Sequence, residues 1–150
     1  MRLLAAGMAA LLCAAPSRAG QSDASAAVKA PHRVDRSGKA KKGRASYYAR
    51  RFAGRRMANG ERMDPRSNAA ASKTLPLGTT ARVTNLENGR SAEVEIKDRG
   101  PYVQGRTVDL TPKTAEELGM KHQGVAPVEV APIVVPQADG TLKAGEGAEG

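Results

Sequence analysis

The chain has no tryptophan, a single phenylalanine (Phe52), three tyrosines (Tyr47, Tyr48, Tyr102), one cysteine (Cys13) and two histidines (His32, His122). Each shortage removes a class of chemistry. One cysteine cannot form a disulfide framework, so stability rests on packing and hydrogen bonding. Two isolated histidines without a cysteine cluster leave no ligand set for a structural or catalytic metal, and no cofactor is expected. A serine triad would lack a core histidine as its base, and no glycine-rich phosphate loop precedes a helix. Long apolar runs are missing too. Apart from the first segment, nothing approaches the ~18 residues that a membrane-spanning helix needs.

That first segment has a basic start at Arg2, an apolar stretch through Leu11-Leu12-Cys13-Ala14-Ala15, and the small-residue ending Ser17-Arg18-Ala19. Residues 1–19 read as a secretory signal peptide, which places the mature protein in the periplasm or cell envelope. Cys13 offers a second reading, because lipoprotein signals end at a cysteine that is cleaved and lipidated. Leu12, however, is bulky where a small residue is expected. Membrane anchoring enters only if Cys13 is lipidated, and loss of Cys13 with the leader is the preferred reading. Lys and Arg total 24 against 15 Asp and Glu, a net charge of +9. Such a balance invites a nucleic-acid reading. Export and scarce aromatics argue against it, and an anionic cell envelope is the better partner.

Residues 20–42 lack apolar periodicity and read as a basic, flexible linker. Residues 137–150, mildly acidic and without core residues, read as a disordered tail. Between them, 43–136 forms a compact, mainly β domain, expected to be monomeric. Ala45–Tyr48 makes a short strand. Thr80–Asn85 and Ser91–Lys97 alternate, with Val83, Ala92, Val94 and Ile96 facing inward, and Asn88-Gly89 signals the hairpin between them. Residues 125–130 and 133–135 supply the last strand material, with Pro127 and Pro132 marking edges or bends. One helix follows Thr111 as N-cap and Pro112 at its first position, running to Leu118 before Gly119. A second helical turn around Ser67–Ala71 is a weaker possibility. Short strands, one or two short helices and many Gly/Pro turns describe a small β-barrel.

Two acids stand at strand ends. Asp98 closes the alternating strand and enters the turn Arg99-Gly100-Pro101-Tyr102, while Asp109 closes Val108-Asp109-Leu110 just before the helix. Carboxylates at such positions either line a cleft or serve the local fold: Asp98 by accepting turn N–H groups, Asp109 by buttressing the helix start. One of the adjacent Tyr47 and Tyr48 must face outward, where it packs or stacks on a sugar ring. The arginines at 44, 50, 51, 55, 56, 62 and 66 form a basic stretch broken only by Glu61 and Asp64. It is either a solvated face or an attractor of anionic wall polymers.

The segments Gly43-Arg44-Ala45-Ser46-Tyr47-Tyr48, Ala58-Asn59-Gly60-Glu61, Lys73-Thr74-Leu75-Pro76-Leu77-Gly78-Thr79, Val83 to Arg90, Asp98-Arg99-Gly100-Pro101-Tyr102, Val108-Asp109-Leu110 and Leu118-Gly119-Met120 occur in this order. Together, over about residues 43–132, they resemble the rare-lipoprotein-A family of bacterial lytic transglycosylases. The resemblance implies a six-stranded double-psi β-barrel, the fold shared with expansins and some cellulases. It implies endolytic cleavage of MurNAc–GlcNAc bonds in peptidoglycan strands stripped of peptide stems, giving 1,6-anhydro-muramyl ends, in wall remodelling or cell separation. It makes Asp98, Glu61 and Asp109 the candidate catalytic acids, with Asp64 a further acid. Asn59, Tyr47, Tyr48, Arg99 and Ser72 join Asp64 as candidate substrate-binding residues. One departure stands out: many members carry a histidine where this chain has Ser72. A hydroxyl can hold a sugar or carboxylate but takes up no proton near neutral pH. This keeps open an alternative, a non-catalytic, expansin-like module that binds or loosens the wall.

Glycosidases that use water need two carboxylates. A lytic transglycosylase needs one: it protonates the glycosidic oxygen, then accepts the proton of the muramyl C6 hydroxyl as that hydroxyl closes on C1. Asp98 is the first choice for this role on sequence grounds.

Overall fold

The computed structural model describes residues 33–149. The expected leader, Cys13, His32 and most of the expected linker lie outside the described residues. Among the described residues, seven strands, one α-helix and two short 3₁₀ turns (Arg50–Phe52 and Glu146–Glu149) follow one another. In order the elements are β1 (Lys41–Tyr47), β2 (Ala69–Ser72), β3 (Thr80–Asn85), β4 (Ser91–Asp98), β5 (Arg106–Leu110), α1 (Pro112–Glu117), β6 (Ala126–Pro136) and β7 (Leu142–Ala144).

The strands hydrogen-bond in the order β1-β5-β2-β4-β3-β6, and β6 also pairs with β1, which closes a six-stranded ring. β1–β5 and β2–β4 run parallel, and the remaining ring pairs are antiparallel. This is the double-psi barrel that the resemblance implied. β7 lies outside the ring on the last residues of β6.

Alternation fills the interior. Val83 on β3, Val94 and Ile96 on β4, Val108 and Leu110 on β5, and Val128 on β6 are all buried, together with Leu118 and Met120 behind the helix. Removing such side chains from water stabilises the fold by roughly 1.5–3 kcal/mol each. The helix starts as its sequence dictates: the Thr111 hydroxyl accepts the Thr114 N–H at 3.3 Å and donates to the Ser67 carbonyl at 2.6 Å. A second apolar cluster sits outside the barrel, where Met57 and Met63 pin the 49–68 loop over Ala69, Ala71 and Tyr48.

Three local expectations change. Ser67–Ala71 is not a helical turn, because Ala69–Ser72 forms β2, fully buried between β4 and β5. Its alanines face a neighbour on both sides, which erases the alternation that marks a half-exposed strand. Pro127 and Pro132 both lie inside one continuous strand, and Pro132 pairs with Ala81 beside a register shift at Thr80/Ala81.

The tail after residue 137 is ordered as β7 and the second 3₁₀ turn. Backbone contacts hold it: the Gly145 N–H donates to the Ile133 carbonyl and the Glu146 N–H to the Gly38 carbonyl, both at 2.9 Å. The Glu146 carboxylate accepts the Ala40 N–H at 2.6 Å, which also orders the last part of the expected linker. Gly145 and Gly147 are needed there, since a Cβ on either would collide with the carbonyl oxygens of Pro132 and Ala131.

Asn85 ties the β3–β4 turn to the helix end. Its side chain is 1% exposed; Nδ2 donates to the Leu118 carbonyl and Oδ1 accepts the Glu87 N–H, each at 2.9 Å. Asn85→Ala removes both bonds at a buried position and is expected to cost about 1–3 kcal/mol, read as a lower midpoint in chemical denaturation with an unchanged m-value.

Candidate active site

The two strand-end acids meet through a strand that neither belongs to. Ala71 of β2 pairs with Asp98 of β4 on one side and with Asp109 of β5 on the other, and Asp109 in turn pairs with Ser46 of β1. One row across four strands therefore reads Ser46, Asp109, Ala71, Asp98. Adjacent strands lie ~4.8 Å apart, so the two acidic backbones stand roughly 10 Å apart with only a methyl group between them. Strict alternation would send Asp98 to the Ile96 face, into the barrel. The register shift between Ala70 and Ala71 skips Lys97 in the pairing and sets Asp98 beside Ala71 instead.

Both acids line a cleft of about 390 Å³. Its other walls include Tyr47, Tyr48, Arg51, Phe52, Ala71, Arg99, Tyr102 and Arg106. Tyr48, Phe52 and Asp98 also border a second lobe of about 200 Å³, completed by Arg55, Arg56, Met57 and Met63.

The two carboxyls have different surroundings. Asp98 receives three donors: the Tyr48 hydroxyl at 2.9 Å on Oδ2, and the backbone N–H groups of Ala58 at 2.9 Å and Arg99 at 2.8 Å on Oδ1. Every contact on it is a donor, an arrangement that suits an acceptor. Of these three donors, the Arg99 N–H is the turn cap that the sequence offered as an alternative role. Burial, together with the charge of Asp98 and the bond to it, pushes the Tyr48 phenol far above its ordinary value, so Tyr48 remains a donor. Asp109 is half-buried, and this burial pushes its carboxyl above the ordinary 3.8. The hydrogen bond from the Ser46 hydroxyl and the charge of Arg106 oppose that shift, while the charge of Asp98 adds to it. Asp109 therefore holds a proton to higher pH than a free carboxyl does.

The remaining sequence candidates scatter. Glu61 is exposed and lines neither lobe. It is ion-paired to Lys97 at 2.8 Å and accepts from Asn59 Nδ2, and the Lys97 bond holds its carboxyl below the usual range. Asn59 is spent on Glu61, since its Oδ1 also accepts the Glu61 N–H. Asp64 caps its own turn by accepting the Arg66 N–H at 2.9 Å. Arg99 borders the cleft, yet its Nη1 donates to the carbonyls of Ser72 (3.1 Å) and Leu75 (2.5 Å), tying β4 to the turn after β2.

Ser72 is buried on a different side. Its hydroxyl accepts the N–H groups of Thr74 and Leu75 and borders a pocket of about 50 Å³ near Lys39 and Lys41. Tyr47 lines the cleft and donates its hydroxyl to the Lys121 carbonyl at 2.9 Å. Arg51, from the basic stretch, also borders the site, as do Phe52, Tyr102 and Arg106, which had no site role on sequence grounds. For Phe52 a signal existed: the only phenylalanine of the chain stands inside its arginine-rich stretch. Among the described residues, no three His, Cys, Asp or Glu side chains cluster as a metal site requires.

With this geometry in hand, comparison with known proteins is informative. Residues 40–130 match a family described as lytic transglycolase. A probable endolytic peptidoglycan transglycosylase RlpA of Nostoc sp. is 52% identical over 90 residues, covering 59% of this chain and 24% of that protein. The endolytic peptidoglycan transglycosylase RlpA of Neisseria meningitidis serogroup A is 44% identical over 96 residues, 64% of this chain and 40% of that protein. The chain thus spans a quarter to two-fifths of the length of these relatives. Among solved structures, the Streptomyces papain inhibitor (SPI) superposes with a TM-score of 0.51 at 24% identity, over 63% of this chain and 94% of its own, a likeness of fold. The match over residues 40–130, which holds the whole acidic row, shows that this chain belongs to the lytic transglycolase family.

Proposed function

We propose that this barrel cuts the glycan strands of peptidoglycan endolytically by transglycosylation, leaving 1,6-anhydro-muramyl ends. The observation that carries the reading is the pairing of Asp109, half-buried and with its carboxyl raised above the ordinary range, with Asp98, an acceptor saturated with donors, on either side of Ala71. Asp109 protonates the glycosidic oxygen between MurNAc and GlcNAc, and the C1–O bond breaks as positive charge builds on the muramyl ring. Asp98 supplies a fixed negative charge near that ring, favouring the charged transition state. The muramyl C6 hydroxyl then attacks C1 and gives its proton to the Asp109 carboxylate, which restores the acid. Proton and bond counts balance without water.

This divides the roles differently from the sequence-based preference for Asp98 as the acid. Glu61, held charged by Lys97, is suited to accept hydrogen bonds from a glycan running over the 57–63 loop. Both central carboxylates come from one copy, so a monomer suffices. A peptidoglycan substrate places the protein in the envelope, reached through the leader, with a lipid anchor only if Cys13 is modified. Endolytic action on peptidoglycan fits the names of the relatives, and the proposal extends it to peptide-stripped strands in wall remodelling or cell separation.

Digestion of purified stripped strands, with products resolved by mass spectrometry, tests the proposal. Anhydro-muramyl products are expected; hydrolysed reducing ends, heavier by one water, would replace the transglycosylase by a hydrolase. The second reading, wall binding without cleavage, has Ser72 in its favour, since a turn-capping hydroxyl stands where many members carry an imidazole. It predicts co-sedimentation with sacculi and no soluble product.

A further inference from the structure

Arginine and lysine are used differently in this molecule. All five ion pairs among the described residues are made by lysines, and no arginine takes part in one. Five of these arginines border the cleft: Arg51, Arg99 and Arg106 the larger lobe, Arg55 and Arg56 the smaller. Arg51 and Arg55 share one aromatic ring, with their guanidinium carbons 5.1 Å and 5.5 Å from the Phe52 centroid. Phe52 in turn packs on Tyr48 at 6.0 Å, and Tyr48 donates to Asp98. Two cations are thus held on one ring at the edge of the cleft, and neither is ion-paired to a carboxylate among the described residues. Cation–π contact orients them, while their mutual repulsion awaits an anion. The planar fork of arginine suits a carboxylate, which two such groups can grip at once.

A bare glycan strand of alternating GlcNAc and MurNAc has one ionisable group per repeat, the lactyl carboxylate on the muramyl O3. That group is free when no stem peptide is attached and becomes a neutral amide when one is. We propose that Arg51 and Arg55, seated on Phe52, bind the free lactyl carboxylate of a muramyl residue beside the scissile bond. They then act as specificity-determining residues that select anionic, unsubstituted strands by charge. The inference rests on the proposed glycan substrate and assigns its recognition to residues outside the acidic row.

The test measures binding, which keeps it separate from turnover. Stripped strands with free lactyl carboxylates are compared with the same strands converted to methylamides. The proteins are the wild type and the double variant Arg51→Gln/Arg55→Gln, whose fold is checked by its melting curve. The wild type is expected to bind free-acid strands about tenfold more tightly than amidated ones, and the double variant is expected to lose that preference. Equal wild-type affinity for the two strand types overturns the proposal whatever the variant does. So does a double variant that keeps the preference, or equal competition by polyglutamate at matched carboxylate concentration, which reduces the rim to a general basic surface. Carboxylate-dependent binding without anhydro-muramyl products defeats the transglycosylase reading and leaves this recognition standing.

Discussion

Asp109→Asn is expected to lower the release of anhydro-muramyl products at least about a hundredfold, the usual contribution of a positioned general acid, while making the protein more stable at neutral pH. The two effects share a cause. Burial raises the Asp109 carboxyl above its ordinary 3.8 in the folded state. Below that ordinary value both folded and unfolded chains carry the proton, and Asp109 costs nothing. As pH rises past it, the unfolded chain releases its proton first, so stability falls until the raised folded value is passed. Above that point the full penalty applies, and asparagine, which never ionises, avoids it. The variant should therefore melt higher than the wild type at neutral pH, with the two curves converging in acid. In the wild type, turnover should fall as pH rises through the raised Asp109 value, because the acid is lost. A wild type that melts higher at neutral pH, or a variant with undiminished product release, would remove Asp109 from the acid role.

Much of the frame beneath this site is written in local pattern. Alternation in residues 80–85 and 91–98, the Asn88-Gly89 turn, and Thr111-Pro112 at the helix start act over a few residues and appear where expected. The ordered motifs carried the family. Relations between distant strands are harder to read. β2 is four small residues buried on both faces, so it has no period to detect. The meeting of Asp98 and Asp109 depends on that strand and on one skipped residue, Lys97, in its pairing with β4. Nothing in the spacing of the two acids reveals it. The ordered tail escaped for a related reason: glycine backbone against proline and alanine carbonyls leaves no hydrophobic signature. The raised carboxyl of Asp109 was also hidden, because burial is a property of the assembled site.

Asp98→Asn supplies the converse of the first prediction and should act in the opposite direction on stability. Its two oxygens face the Tyr48 hydroxyl on one side and the N–H groups of Ala58 and Arg99 on the other. An amide replaces one acceptor by a donor. Turned one way, its NH₂ meets two backbone donors. Turned the other, it forces the buried Tyr48 hydroxyl to accept, leaving that proton without its partner. Either placement is expected to cost about 1–3 kcal/mol, seen as a lower melting temperature at neutral pH. Turnover should fall with it, since a fixed charge beside the developing cation is gone and the 57–63 loop loses the Ala58 anchor. Residual activity should also shift toward acid, because the Asp98 charge is one of the influences that raise the Asp109 carboxyl. Opposite stability shifts for the two Asp→Asn variants, with activity lost in both, would distinguish a buried acid paired with a fixed acceptor from two equivalent surface carboxylates. Two variants that melt like the wild type would defeat that division of labour.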